Sequence, residues 1–361
     1  MQFYMPVKVY EEENCVENHK KDLAKCGKTA LIMTGKHSAR KNGALADVQS
    51  ALEAEGVSWI LFDEVEENPS VDTVMNAREM GLRGQADFVV GIGGGSAMDA
   101  AKAAALMMRH READASYLYE KGVDSAALPV AEVPTTCGTG SEVTAVSVLT
   151  RRDKGIKGSI PHKIFPTLAL LDAKYLASAP RAVLCNTAVD AFAHLAESYI
   201  NTNATDYSRM CAAAGLQMWK KSREVLTGKR KPEREDYRNL LNASTMAGMA
   251  ICHTGTSLPH GLSYPLTCEL NLPHGVAVGY FLGGYLREAE EADHRYVLET
   301  AGFCSVEDFE VFFGKVCRCV EIPESLLVRT AEGLLKNEAK LKNCPYQVDE
   351  KVLKRIAGLK A

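Results

Sequence analysis

The sequence predicts an α/β fold toward its N-terminus and an all-helical fold toward its C-terminus. In the first half, short apolar runs alternate with segments of helical periodicity, which is typical of a mostly parallel sheet covered by helices. From about Pro180 onward, runs of Val and Ile become scarce and helical segments follow one another. The length of 361 residues suits two domains. We therefore expect an α/β domain over residues 1–179 and a helical domain over residues 180–361.

The predicted strands are short apolar runs that end at turn residues, and they cover residues 29–34, 57–62, 87–92 and 130–133. The helices between them place apolar residues three or four positions apart, at 45–55, 71–83 and 96–109. In the second half, Gly, Pro and charged clusters separate the predicted helices, which cover 183–200, 206–226, 233–252, 276–291, 306–319, 322–337 and 348–358.

Composition and charge exclude several classes of protein. The formal net charge of −4 argues against a general nucleic-acid binder, which normally carries a basic face. No apolar run approaches the ~20 residues that span a bilayer, and the N-terminus lacks the basic and apolar regions of a signal peptide. The 11 cysteines are odd in number and form no C-x-x-C pair, so reduced thiols are expected. We therefore expect a cytoplasmic protein that has neither nucleic acid nor a membrane as a partner.

A glycine-rich loop, Gly93-Gly94-Gly95-Ser96, follows the third predicted strand and opens a helix. Glycine lets the backbone approach a ligand closely, and a helix N-terminus offers N–H groups to a phosphate. In the next turn, Asp99 is expected either to cap its own helix or to hold the glycine loop. A tight strand-to-helix turn without a ligand is the alternative, because the loop lacks the G-x-G-x-x-G pattern.

A second loop, residues 134–142, also follows a predicted strand and is rich in hydroxyl side chains, among them Thr135, Thr136 and Thr139. Such side chains can hydrogen-bond phosphate or ribose, although an ordinary polar turn is the alternative. Two loops of this kind after strands of one sheet favour a dinucleotide at the carboxyl edge.

Four side chains suggest a metal site. Asp190 and His194 are four residues apart and share one face of a predicted helix. His260 and His274 each lie between a Pro and a Gly. One carboxylate and three imidazoles suit Fe(II) or Zn(II) with a position left open for a substrate oxygen. Each histidine alone is more often structural, but the set together favours a metal.

The chain resembles the iron-containing (group III) alcohol dehydrogenases, in particular the NADP-dependent, butanol-dehydrogenase-like branch. The stretches that carry the resemblance are KHSARKNGALADV (36–48), Glu66 to Ser70, GIGGGSAMDAAK (91–102), VPTTCGTGSEVT (133–144), VDAFAHLAESY (189–199) and LPHGLSYPLTCELNLPHG (258–275). Their combination is specific, whereas no single stretch is. The resemblance implies a dehydroquinate-synthase-like α/β domain, a helical domain, a cleft between them and a homo-oligomer.

The same resemblance assigns roles to individual residues. It implies metal ligands at Asp190, His194, His260 and His274, and it implies cofactor contacts, which fall on Gly94, Gly95, Ser96, Asp99, Thr135, Thr136, Asn68 and Lys157. Gly94, Gly95 and Ser96 would contact the diphosphate, Asn68 the adenosine half and Lys157 a ribose. The implied reaction is hydride transfer between NADP(H) and a primary alcohol/aldehyde pair, with the divalent ion as a Lewis acid on the substrate oxygen.

Two positions depart from the family pattern. Many members carry a further His where this chain has Tyr264, so proton transfer is expected through metal-bound water, a ribose hydroxyl or Tyr264. NAD-preferring members often carry an Asp after the first strand, where this chain has Gly35. A carboxylate ~4 Å from a 2′-phosphate would cost ~4 kcal/mol at an effective dielectric constant of about 20. Gly35 removes that repulsion, and the residues after it add donors and positive charge, namely Lys36, His37, Ser38, Arg40 and Lys41. NADP(H) is therefore favoured over NAD(H), although an ordinary basic turn at the surface is the alternative for Arg40 and Lys41.

Other functions remain open on the sequence alone. One alternative is another enzyme of the same superfamily, such as a polyol dehydrogenase or a cyclase resembling dehydroquinate synthase. A protein that binds a metal or a nucleotide without catalysis is a second alternative, which the complete ligand and loop sets disfavour.

Overall fold

Parallel strands form the centre of the N-terminal half of the chain, in a computed structural model that describes residues 3–153, 155–318 and 320–359. The strands are β1 (Lys8–Glu11), β2 (Thr29–Thr34), β3 (Ser58–Phe62), β4 (Phe88–Gly93), β5 (Val130–Pro134), β6 (Val148–Arg151), β7 (Ile156–Ser159) and β8 (Leu168–Leu171). Six of them form one sheet in the order β1-β8-β5-β4-β2-β3, and every pairing in it is parallel. β6 and β7 form a separate antiparallel hairpin.

Both faces of the parallel sheet are covered, and for this reason its strands are almost continuously apolar. Successive side chains of a strand point to opposite faces. Leu31 and Met33 pack into an apolar cluster on one face, whereas Ala30 and Ile32 pack into a second cluster on the other. The helices of this half are α1 (Cys15–Asn18), α2 (Lys20–Ala24), α3 (Ser38–Lys41), α4 (Ala44–Ala54), α5 (Val71–Arg83) and α6 (Gly95–Arg109).

The second half of the described chain is helical. Its helices are α7 (Arg181–Tyr199), α8 (Asp206–Lys221), α9 (Arg223–Leu226), α10 (Arg234–Thr254), α11 (Leu258–Leu270), α12 (His274–Glu288), α13 (Glu291–Ala301), α14 (Val306–Val316), α15 (Glu324–Leu334), α16 (Glu338–Lys342) and α17 (Glu350–Ile356). Within the described ranges, no helix combines the length and apolarity that crossing a bilayer requires.

The chain divides into two units. The α/β unit comprises Met5–Thr136 and Gly140–Ala179. The helical unit comprises Pro180–Ala361 together with two short segments, Met1–Tyr4 and Cys137–Thr139. The segment Cys137–Thr139, which contains the predicted cofactor residue Thr139, therefore belongs to the helical unit.

The predicted fold class is confirmed, and the four predicted strands and three helices of the first half agree with the structure to within one residue at each end. The sequence reasoning missed β1, β8 and the β6–β7 hairpin. β8 is a run of only four residues, and β1 lies at the edge of the sheet with its first residue exposed. Because β8 is short and β1 is partly exposed, neither shows the clear apolar pattern by which a strand is recognised in a sequence.

Several helix boundaries of the second half differ from the prediction. The predicted helix 206–226 is interrupted at Ser222, where α8 ends and α9 begins. The helix predicted at 276–291 is α12, and α13 after it was missed, as was the short α16. The prediction of 306–319 extends beyond α14 to Cys319, which lies outside the described residues. α11 was also missed, because Pro259 and Pro265 argue against a helix although both lie in one.

An ionisable side chain, Glu132, lies in the middle of the parallel sheet. It is fully buried on β5 and is paired in register with Gly91 of β4 and Ala169 of β8. A Cβ atom on Gly91 would lie 2.2 Å from Glu132 Oε2, so only glycine leaves room for this carboxyl. Neither carboxyl oxygen makes a hydrogen bond within the described part of the chain. Burial raises the pKa of Glu132 well above its usual range, and the nearby charge of Lys102 only partly offsets this.

Glu132→Gln is expected to make stability less dependent on pH. Below the ordinary pKa of 4.5 the carboxyl is protonated in both the folded and the unfolded chain. At higher pH the unfolded chain releases a proton that the folded chain keeps, so the wild-type free energy of unfolding falls as pH rises toward the folded pKa. The Gln variant does not lose stability in this way. Its free energy of unfolding relative to that of wild type should therefore increase as pH rises.

Urea unfolding at several pH values measures this difference. The matched control is Glu112→Gln, since Glu112 is exposed and its replacement should give a difference that does not change with pH. A constant difference for Glu132→Gln as well would show that Glu132 is not held protonated.

Candidate metal centre and nucleotide loops

Three helices of the helical unit carry the predicted metal ligands. Asp190 and His194 lie one turn apart on α7, His260 lies in the first turn of α11, and His274 is the first residue of α12. The prolines before the last two histidines fit these positions, because proline lacks the N–H that a helix start leaves unbonded. Pro259 is in the first turn of α11, and Pro273 immediately precedes α12.

Ligand atoms of Asp190, His260 and His274 all lie within 4.8 Å of one another. His260 Nε2 is 3.5 Å from Asp190 Oδ1, and His274 Nε2 is 3.8 Å from the same oxygen. The ligands of a tetrahedral ion with bonds of about 2.1 Å lie about 3.4 Å apart. These three side chains are therefore spaced as the ligands of one ion would be.

His194 lies beside this trio. Its ring stacks against the ring of His260, with centroids 4.2 Å apart, and its Nδ1 is 3.2 Å from the carbonyl oxygen of Gly138. A hydrogen bond from Nδ1 to that carbonyl leaves Nε2 as the nitrogen with a lone pair. The pKa of His194 is lowered to about 4 by burial and by His260, which favours the neutral imidazole that a metal needs.

The buried polar atoms of this cluster fit a cation. Asp190 Oδ1 and His260 Nε2 are buried, and neither makes a hydrogen bond to any described residue. Burial raises the pKa of Asp190, but the interactions of its carboxylate with His194, His274 and His260 outweigh burial and lower the pKa, so the carboxylate form is favoured. A carboxylate oxygen and an imidazole nitrogen that lie close together without a hydrogen bond are donors suited to Fe(II) or Zn(II), and His274 Nε2 lies near the same oxygen.

Glu197 is a site residue that the sequence reasoning missed. It is fully buried on α7, three residues after His194. His260 Nδ1 donates a hydrogen bond of 2.7 Å to Glu197 Oε1, and the backbone N–H groups of Ser257 and His260 also donate to this carboxylate. Glu197 therefore fixes both the ring of His260 and the start of α11. Its spacing from Asp190 and His194 on one helix was a weak signal that it faces the same site.

Tyr264 lies next to the predicted ligands. It is one turn after His260 on α11 and is partly buried. Its ring is parallel to that of His274, with an interplanar angle of 6° and centroids 6.1 Å apart. The position is compatible with a role in proton transfer, which stays a prediction.

In the α/β unit, the glycine loop takes the predicted form. β4 ends at Gly93, and α6 begins at Gly95 after Gly94. No described side chain caps this helix. Its first N–H groups therefore suit an anion. The two loops adjoin, because Thr135 N donates to Gly93 O at 2.8 Å and a Cβ on Gly94 would lie 3.0 Å from Thr136 Oγ1.

Three of the predicted cofactor residues lie together. Asn68 has a left-handed backbone, with φ of 58°, and its N–H donates to Ser96 Oγ at 3.1 Å. Lys157 on β7 donates to Asn68 Oδ1 at 2.6 Å, and Thr150 Oγ1 donates to the carbonyl of Asn68 at 2.9 Å. The loop of Asn68, the start of α6 and the β6–β7 hairpin are thus joined at one residue.

The two roles predicted for Asp99 from the residues are wrong. Ser141 Oγ donates to Asp99 Oδ1 at 2.5 Å, and the N–H of Val148 donates to Oδ2 at 2.9 Å. Because the side chain points away from the start of α6 toward residues 141–148, it neither caps its helix nor holds the glycine loop. The buried Lys102 donates to Ser141 Oγ and to the carbonyl of Ser141, both at 2.6 Å. Asp99 and Lys102 therefore stabilise the end of the second loop.

The predicted coenzyme turn follows β2. Gly35 comes directly after this strand, and Lys36 and Ser38 are exposed. Arg40, which adds to the positive charge of this turn, forms an ion pair of 2.7 Å with Asp63. Part of the positive charge of this turn is therefore balanced by Asp63.

Comparison with known proteins gives matches along most of the chain. The model of the family described as iron-containing alcohol dehydrogenase matches residues 6–173, and the model of the C-terminal region of that family matches residues 184–303. Long-chain-alcohol dehydrogenase 1 of Geobacillus thermodenitrificans is 34% identical over 259 residues, which are 69% of this chain and 64% of that protein. The match thus spans slightly less than two thirds of this relative.

A second relative and a solved structure extend this likeness. Sulfoacetaldehyde reductase of Bilophila wadsworthia is 32% identical over 277 residues, which are 75% of this chain and 68% of that protein. The crystal structure of an iron-containing alcohol dehydrogenase from Thermotoga maritima has 36% sequence identity and a TM-score of 0.89 to this chain, and the match covers 98% of each chain.

Proposed function

The chain belongs to the iron-containing alcohol dehydrogenase family, and we propose that it transfers hydride between NADP(H) and a primary alcohol/aldehyde pair. The family indicates a metal, typically iron, and a nicotinamide cofactor. The observation that carries the proposal is the convergence of Asp190, His260 and His274 on one point of the helical unit. Asp190, His194, His260 and His274 are the proposed ligands of Fe(II) or Zn(II).

When bound, the metal ion supplies Lewis-acid polarisation of the substrate oxygen and NADP(H) supplies the hydride. The chain contributes orientation and charge. Asp190 places one negative charge among the imidazoles, and Glu197 holds His260 with its Nε2 directed at Asp190. Tyr264 is the side chain of α11 that we propose for moving a proton, since its hydroxyl both donates and accepts.

The proposed cofactor site comprises Gly35, Lys36, Ser38, Asn68, Gly94, Gly95, Ser96, Asp99, Thr135, Thr136, Thr139 and Lys157. Support comes from the uncapped start of α6 and from the hydrogen bonds that join Asn68 to Ser96 and Lys157. Asp99 acts in this set through Ser141 and Val148, because both its carboxyl oxygens are bonded to them.

Gly35→Asp is expected to shift coenzyme preference from NADPH toward NADH. The new carboxylate would repel a 2′-phosphate, and because the turn is exposed and screened by salt we expect roughly a tenfold change in the ratio of kcat/KM values rather than the full Coulomb energy. A Cβ at this position would lie 3.2 Å from Val65 O, which requires only a small shift.

Steady-state kinetics with both coenzymes measure that ratio. The control is Ser50→Asp, which adds the same charge at an exposed position of α4 and should leave the ratio unchanged. An unchanged ratio for Gly35→Asp would show that this turn does not meet the 2′-phosphate.

A substrate and coenzyme panel on protein of measured metal content tests the proposed function. The two relatives are named for a long-chain alcohol and for sulfoacetaldehyde, so the panel contains uncharged aldehydes of increasing length and a short anionic aldehyde. Metal-dependent oxidation of NADPH by at least one of them is expected. No turnover with any aldehyde by metal-loaded protein would refute the assignment, and phosphate release from a phosphorylated substrate would favour the cyclase alternative.

We further propose a homo-oligomer in the reducing environment of the cytoplasm. The oligomer rests on the family resemblance, and light scattering in solution tests it. The reducing compartment is supported by thiols such as Cys15 and Cys211, which are buried and form no disulfide with any described residue.

A further inference from the structure

The short helix α16 contacts the part of the helical unit that carries the proposed metal ligand His260. This helix lies beyond the matched family region, which ends at residue 303. Lys340 of this helix donates a hydrogen bond from Nζ to Thr256 Oγ1. Asn343 Nδ2 donates to the carbonyl oxygen of Thr256 at 2.9 Å. Thr256 lies in the turn just before α11, so α16 holds the chain that leads into the helix of His260.

The stem of Lys340 also packs on α11. A Cβ atom on Gly261 would lie 2.6 Å from Leu334 Cδ1 and 3.2 Å from Lys340 Cγ, so the glycine that follows His260 leaves room for both side chains. This explains one of the two Pro-His-Gly patterns by a close approach of side chains. Lys340 thus lies against both the turn before α11 and its first turn.

The charge of Lys340 acts on Glu197. Burial raises the pKa of the Glu197 carboxyl, but the charge of His260, its hydrogen bond and the charge of Lys340 outweigh burial, so the pKa is lowered. Burial lowers the pKa of Lys340, and Glu197 opposes that shift. Hydrogen bonds also connect the two residues through adjacent positions of the chain, because Lys340 bonds Thr256 and the N–H of the next residue, Ser257, donates to Glu197.

We propose that Lys340 is a positioning residue for the metal: by holding Thr256 it fixes the adjacent Ser257, whose N–H binds Glu197, and so helps Glu197 to hold His260. The inference rests on the proposed function, because it requires a metal at Asp190, His260 and His274. Without the bond from Lys340, Thr256 and the adjacent Ser257 are held less firmly, and the N–H of Ser257 is one of the groups that bind the buried Glu197 carboxylate. Glu197 would then hold the ring of His260 and the start of α11 less firmly, and metal affinity would fall while every ligand remained in place.

Lys340→Met removes the charge and keeps a side chain that packs on Gly261. Its matched control is Lys342→Met, since Lys342 is the exposed last residue of the same helix. Cobalt(II) serves as the probe, because its absorption bands report binding directly. The dissociation constant is measured by competition with a chelator on the folded, metal-free full chain, and the melting temperature of the metal-free protein is recorded beside it.

We expect Lys340→Met to raise the cobalt dissociation constant about tenfold, the lower end of what loss of a group supporting a metal ligand costs. Lys342→Met should bind as wild type does, and Lys340→Arg, which keeps the charge, should recover most of the affinity. Glu197→Gln should weaken binding at least as much as Lys340→Met. This pattern supports the proposal even if Lys340→Met also melts at a lower temperature.

Three results would overturn it. If wild type binds cobalt and folded Lys340→Met binds it equally well, Lys340 has no positioning role, although the proposed function stands. If Lys340→Met only lowers the melting temperature while Lys340→Arg and Glu197→Gln bind as wild type does, the lysine is merely structural. If wild type itself binds no cobalt, the metal site and the proposed function fail together.

Discussion

His260→Ala is expected to abolish metal retention and turnover together. The substitution removes the nitrogen that lies 3.5 Å from Asp190 Oδ1, and it also removes the hydrogen-bond partner of the buried Glu197 carboxylate. The remaining carboxylate and imidazoles would bind an ion with one ligand fewer and with less charge compensation. Metal content after dialysis and NADPH-dependent aldehyde reduction by the same preparation measure the two losses.

The control for this variant is His294→Ala. His294 lies on α13, outside the proposed ligand set, and its Nδ1 is hydrogen-bonded to the backbone carbonyl of Ala289. That variant should keep its metal and its activity. Full metal content in folded His260→Ala, confirmed by circular dichroism, would remove His260 from the ligand set.

Gly275→Ala is expected to destabilise the protein strongly and to lower its metal content. Gly275 follows His274 on α12, and a Cβ atom there would lie 1.8 Å from the carbonyl oxygen of Asn186 and 3.2 Å from the N atom of Asp190, both on α7. The clash is with backbone, so α12 must move away from α7. We expect a loss in the free energy of unfolding of about 3 kcal/mol, the upper part of the range for overpacking.

Gly333→Ala is the matched comparison. Gly333 is also helical, but outside its own helix backbone and chain neighbours no atom of the described residues lies within 4 Å of the position a Cβ would take. Alanine should stabilise this position by about 0.5–1 kcal/mol, because glycine loses more conformational freedom on folding. Urea unfolding of the metal-free proteins measures both changes. Equal stabilities of the two variants would contradict the tight packing of α12 on α7.

The sequence predicted best the elements that are long, periodic and bounded by turn residues. β2 and α5 were predicted residue for residue, since an apolar run and a helical period are local properties of the chain. α11 was missed because two prolines outweigh its apolar residues in any local argument. Its helical state depends on partners from elsewhere in the chain, such as Glu197, which binds two N–H groups at its start.

In the candidate site, too, some residues could be predicted from local sequence and others could not. Asp190 and His194 were found by their spacing on one helix, whereas His260 and His274 needed the repeated Pro-His-Gly pattern and the family resemblance. Glu197 was missed because its partner His260 is 63 residues away and buried carboxylates have no sequence signature. The two local roles expected for Asp99, a helix cap and a support of the glycine loop, were wrong for a related reason, since its bond to Ser141 spans 42 residues.

The placement of the proposed ligands on three separate helices has a thermodynamic consequence. An ion held there would act as a removable crosslink between α7, α11 and α12, and by linkage it would stabilise the folded chain in proportion to the logarithm of its free concentration. Resistance to heat or to proteases would then depend on the supply of metal, and two preparations of one sequence could differ in lifetime solely through their mineral content.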